Sequence, residues 1–184
     1  MKNLTFLLLI FSFLNSLGQT FTNYTTADGL VDNNVLCATS QGSGVMWFGT
    51  QNGISKFDGV NWTNITTTTD TALISNTITA IKTMSNGDLW VVTDFGICKY
   101  SNSTWTSYTT TDGLGDNRVK YITESSDGRI WIGEYDGLSI FDGVNFISYN
   151  MSDGIRFGGI QYISCDSNQD VWMGSGFGGL IQFD

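Results

Sequence analysis

Histidine is absent from this 184-residue chain, and so is proline. Without histidine the commonest general base and imidazole metal ligand are missing, which argues against most hydrolytic and metal-centred chemistry. Without proline, the turns fall to glycine, of which there are 22, and to Asn and Asp. Basic residues are scarce, 8 against 17 acidic ones, and a net charge of −9 argues against nucleic acid or an anionic membrane as partner. Glutamate occurs only as Glu124 and Glu134. Cysteine occurs as Cys37, Cys98 and Cys165, an odd number whose spacing fits no metal site, so buried free thiols are expected. After residue 18 there is neither an apolar run long enough to cross a bilayer nor an amphipathic helical period.

What is present is short and repeated. Residues 112–143 read DGLGDNRVKYITESSDGRIWIGEYDGLSIFDG, three apolar runs separated by Asp-Gly turns. Asp-Gly supplies the positive φ that tight hairpins need, so the stretch reads as an antiparallel meander. The same pattern occurs four times. Its strand tryptophans are Trp47, Trp90, Trp131 and Trp172, spaced 43, 41 and 41 residues apart. A fourth short strand follows in each of the first three units, carrying Trp62, Trp105 or Phe146. A period near 41 with four strands per unit predicts an all-β fold, a β-propeller of four four-stranded antiparallel blades. Trp47, Trp90, Trp131 and Trp172 are assigned to the core between blades, while Trp62 and Trp105 are expected to be partly exposed.

The units resemble the two-component-regulator propeller repeat, found in extracytoplasmic sensor regions of bacterial hybrid two-component proteins. In the first unit the resemblance rests on Asp28-Gly29-Leu30, Asn34-Val35, Trp47-Phe48-Gly49-Thr50, Gly53-Ile54-Ser55 and Phe57-Asp58-Gly59. The third unit matches nearly as well, with Glu134 in place of Thr50. The second is degenerate at Trp90-Val91-Val92-Thr93, and the fourth departs at Phe157-Gly158-Gly159. The resemblance implies a propeller and a sensor-like role, and leaves the ligand unnamed.

Residues 1–18 combine one Lys, an apolar run over 4–14 and small residues at 16–18, which predicts a signal peptide cleaved after Gly18. The mature chain from 19 to 184 is then the propeller, with repeats at about 24–65, 66–108, 109–149 and 150–184. It is expected to be periplasmic or extracellular, with no membrane insertion after cleavage. The segment Phe21-Thr22-Asn23-Tyr24 matches Trp62-Thr63-Asn64-Ile65 and Trp105-Thr106-Ser107-Tyr108, so residues 21–24 are a candidate closing strand for the last blade. Two readings stay open: a closed four-blade ring, or part of a larger protein with further blades or signalling domains.

Motifs of catalysis and ligation are weak. Glu134 and Asp136 as paired carboxylates share one hairpin turn, which ill suits a glycosidase. Gly174-Ser175-Gly176-Phe177-Gly178-Gly179 satisfies G-x-G-x-x-G, but a strand rather than a helix follows, so it cannot present amides to a phosphate. Asp166-Ser167-Asn168-Gln169-Asp170 lacks the glycine and the distal glutamate of a calcium loop. No catalytic residue, metal or cofactor is therefore expected. The expected role is non-catalytic recognition of a ligand or protein partner, with a structural or adhesive module of a larger surface protein as the alternative. Loops entering each first strand, and those joining second to third strands, converge on one propeller face. There the candidate binding residues are Asn34, Asn117, Arg118, Tyr135, Arg156 and Phe177, a mixture suited to a carbohydrate or peptide ligand. The two arginines would serve an anionic group.

Overall fold

The computed structural model describes residues 20–155, 158–166 and 170–183. The expected signal peptide lies outside these residues. The first blade contains β1 (Val35–Gln41), β2 (Val45–Thr50), β3 (Gly53–Phe57) and β4 (Trp62–Ile65). The second contains β5 (Ile78–Thr83), β6 (Leu89–Thr93), β7 (Gly96–Ser101) and β8 (Thr104–Tyr108). The third contains β9 (Val119–Glu124), β10 (Ile130–Glu134), β11 (Gly137–Phe141) and β12 (Phe146–Asn150). The fourth has three described strands, β13 (Ile160–Cys165), β14 (Val171–Ser175) and β15 (Gly179–Phe183). Each sheet is an antiparallel meander in chain order, and no α-helix occurs among the described residues.

The turns follow from their residues. Asp58 Oδ1 accepts the N–H groups of Val60 and Asn61, and Asp142 does the same for Val144 and Asn145, which closes the β3–β4 and β11–β12 hairpins. In the second blade Asn102 and Ser103 carry the turn at φ 50° and 64° without glycine. Every blade also has a register shift in its first strand, which leaves Leu36, Thr79, Lys120 and Gln161 out of the ladder. A bulge at one repeated place bends each inner strand alike.

Packing runs from blade to blade, β1 on β5, β5 on β9 and β9 on β13. Trp47 is buried with Ile78, Ile81, Leu89 and Val91 of the second blade. Trp90 meets Val119, Ile122, Ile130 and Ile132 of the third. Trp131 meets Ile160, Ile163, Val171 and Met173 of the fourth. The rule is constant: the tryptophan of a leading blade covers the apolar inner strands of the following one. Two expectations need correction. Trp172 is only half-buried, because no following blade covers it, and Trp105 is buried, because it stands edge-on to Trp47 across the first interface.

The closing strand also needs correction. Residues 21–24 do not pair with β15, and Phe21 is 93% exposed. They lie instead beside the first blade, where Tyr24 packs on Phe57 and Trp62. Among the described residues the strong contacts between blades run from the first to the second, the second to the third and the third to the fourth.

Candidate functional site

The loop entering β9 and the hairpin between β10 and β11 build the most elaborated polar cluster of the arc. Asp116 Oδ1 accepts the Arg118 N–H at 2.9 Å, a short local turn that Asp32 and Ser75 repeat in the preceding blades. This turn aims Arg118 at the hairpin. Its guanidinium Nη2 lies 2.7 Å from Asp116 Oδ2 and 2.7 Å from Asp136 Oδ2, with its carbon 4.1 Å from the centre of the Tyr135 ring. The Tyr135 N–H in turn donates to the Arg118 carbonyl at 3.0 Å. Burial raises the Asp116 carboxyl, but hydrogen bonds from the Arg118 side chain and N–H outweigh it, so the group titrates below the usual carboxylate range. With Arg118 and Asp136 both largely exposed, the ion pairs orient side chains more than they stabilise the fold.

Beside this cluster lies a cleft of about 190 Å³ between the third and fourth blades. Tyr135 and Asp136 form one wall, and Asn150, Met151 and Ile155 another. Gly158 and Gly159 form the floor. Asn150 caps a single 3-10 turn, Met151–Asp153, in a reciprocal capping box with Asp153. Gly159, at φ +69°, is required: a Cβ there would stand 2.8 Å from the Tyr135 carbonyl oxygen. The cleft is smaller than a drug-sized ligand pocket.

The candidate residues divide. Arg118 and Tyr135 come together as expected. Phe177 is 87% exposed, and its backbone touches Gly158, so it borders the cleft. Asn34 occupies in the first blade the place of Arg118 in the third, each carbonyl accepting a hairpin N–H, so it stands two blades away. Asn117 is a loop pin whose Oδ1 accepts the Thr110 N–H, as Asn33 and Asn76 do for Thr26 and Thr67. Arg156 lies outside the described residues. Sequence reasoning missed Asp116, Asn150, Met151 and Ile155. The Asp-x-Arg spacing was a usable signal for Asp116; the other three are joined only by the packing of two blades.

Glu134 lies buried against this cluster, where Asp116 adjoins its carboxyl. It is 1% exposed, in the position that Thr50 and Thr93 fill in earlier blades, and it accepts the Gly115 N–H. Burial pushes its carboxyl up to about 7, despite hydrogen bonds with Ser139 and Gly115 that lower it. Asp136 is exposed, so the two carboxyls do not face a common substrate space. Among the described residues no group of three metal-ligating side chains converges.

Residues 113–136 match the family model described as Two component regulator propeller. That is the repeat which the sequence motifs resemble. The fold is similar to the extracellular domain of the hybrid two component system BT3049 from B. thetaiotaomicron, at TM-score 0.76 and 24% identity over 89% of this chain and 23% of that one. It is also similar to the extracellular domain of BT4673 from the same organism, at TM-score 0.68 and 20% identity, covering 82% and 21%. Virginiamycin B lyase from Staphylococcus aureus is similar at TM-score 0.61 and 17% identity, covering 82% and 55%. The chain thus spans about a quarter of the two sensor domains. Among curated proteins none matches.

Proposed function

We propose that this chain is an exported, sensor-like propeller module that recognises a small ligand or a protruding group of a partner, without catalysis. The observation that carries the reading is the cleft between the third and fourth blades, with Tyr135 on its wall and Arg118 held against Tyr135 by Asp116 and Asp136. The likeness to extracellular sensor domains supports the exported, sensing role. The signal-peptide pattern at residues 1–18 supports export as well.

The electrostatics narrow the ligand. Arg118 is already neutralised by Asp116 and Asp136, so an anionic group would have to displace a carboxylate. An uncharged polar or a cationic group meets no such cost. Tyr135 and Met151 offer apolar faces, and Asn150 and Asp136 offer polar atoms, a combination that suits a sugar ring or a peptide side chain. The test is a glycan and peptide binding screen repeated with Arg118→Ala and Tyr135→Ala. Loss of the captured ligand in both variants supports the reading. Binding unaffected by either, or mapping to the opposite face, overturns it.

A further inference from the structure

We propose that Glu134 is a proton-binding switch beneath the loop that carries Arg118: ionisation of its buried carboxyl frees that loop and withdraws Arg118 from the Tyr135 ring. The inference rests on the reading of Arg118 and Tyr135 as the ligand face, and supplies its regulation.

Comparison of the blades shows that the repeat does not require this carboxyl. In the first and second blades its place is held by Thr50 and Thr93. Their hydroxyls donate to the carbonyls of Gly53 and Gly96 in their own hairpins, at 2.8 and 3.0 Å. Glu134 reaches the entering loop, where Oε1 accepts the Gly115 N–H at 3.2 Å. The loop differs to match. Val31 and Ile74 stand where Gly115 stands in the third blade. A Cβ at Gly115 would lie 2.5 Å from Glu134 Oε2 and 3.3 Å from Ser139 Oγ. Gly115 is not at positive φ, so glycine is needed there for space and not for backbone conformation. The long acid and the missing side chain are one paired change. The ordinary tether of the repeat is still present, since the Gly115 N–H donates to Ser139 Oγ at 2.9 Å, as the Val31 N–H does to Ser55 Oγ. Glu134 adds a titratable lock to a loop already held.

Both ends of Glu134 touch the Arg118 cluster. Its carboxyl accepts from the backbone of Gly115 and Asp116, and Asp116 Oδ2 lies 2.7 Å from the Arg118 guanidinium. Its backbone continues into Tyr135, whose ring centre is 4.1 Å from the guanidinium carbon. The charged group acting on the Glu134 carboxyl is Asp116, on the loop itself. Val119 of β9, Ser139 of β11 and Gly159 of the fourth-blade loop also adjoin residue 134, and none of them titrates. Burial, and after it the like charge of Asp116, holds the carboxyl at about 7 while the loop covers it, against 4.5 in water. The covered state therefore keeps the proton, and a rise in pH through about 7 favours the uncovered one. The loop is the side free to move, because residues 113–118 belong to no strand while Glu134 and Ser139 lie in β10 and β11.

The experiment is an NMR titration of the purified chain across the neutral range, following 13C-labelled glutamate carboxyls and the arginine Nε–H signals. Only Glu124 and Glu134, and Arg118, Arg129 and Arg156, contribute, so Glu134→Gln and Arg118→Lys assign the two signals of interest. The expected result is a single step shared by the Glu134 carboxyl and the Arg118 Nε–H, with its midpoint at about 7. In Glu134→Gln, which keeps the shape and removes the charge, the Arg118 step is expected to vanish. The chain has no histidine, so no imidazole can supply such a step. An Arg118 signal that stays flat while Glu134 titrates overturns the proposal. So does an Arg118 step that survives in Glu134→Gln, or a Glu134 midpoint near 4.5. The titration contains no ligand, so its failure leaves the binding reading standing, and a failed binding screen leaves the titration unaltered.

Discussion

Tyr24 stands 5.7 Å from Phe57 and 5.5 Å from Trp62, the relation that each outer-strand tyrosine bears to the aromatics of the following blade. The short segment before the first blade is therefore a packed part of that blade, although it pairs with no strand. Tyr24→Ala removes two ring contacts and should cost about 1–2 kcal/mol, measured by urea denaturation. Phe21→Ala, three residues earlier, should leave the monomer's stability unchanged.

Trp131 and Trp172 occupy the same repeat position and differ only in whether a blade follows. Trp131→Ala opens a cavity between the third and fourth blades and should cost about 3–5 kcal/mol. Trp172→Ala should cost less, because that ring is only partly buried. Equal losses would show that the two rings have equivalent surroundings.

Glu134 gives the fold a pH signature. Its carboxyl is raised from 4.5 to about 7 in the folded chain, so the native state holds a proton that the unfolded state releases. Stability from this group is full below pH 4.5 and is lost as pH rises through about 7, a change of up to about 3 kcal/mol. Glu134→Gln should flatten the profile between these limits and raise the melting temperature above pH 7. A profile unchanged by the substitution would place the titration elsewhere.

The cysteines should behave as inert fillers. Burial pushes the Cys37 and Cys98 thiols up to about 11, so little thiolate exists at neutral pH. Mass spectrometry after maleimide treatment should show both unmodified in the native chain and modified in urea. Cys98, the more buried, should be the last to react.

Much of this architecture is written in local chemistry. Asp-Gly at 58–59 and at 142–143 dictates hairpins, because the Asp side chain accepts two N–H groups of the turn and glycine takes the positive φ (97° and 104°) beside it. The recurrence of Trp47, Trp90 and Trp131 at spacings of 43 and 41 residues dictates blades, because each ring must cover the next sheet. Arg118 and Tyr135 were legible together because both sit in turns of a single blade, where spacing along the chain is distance in space. Tertiary structure decided whatever depends on which blade follows. Trp172 and Trp131 have the same local pattern and different burial, since the neighbour, not the residue, excludes water. Residues 21–24 have a fourth-strand sequence and no strand partner, since Tyr24 packs beside the first blade on Phe57 and Trp62. Met151 and Ile155 became walls of a cleft only when the third blade met the fourth, a contact that no local pattern encodes.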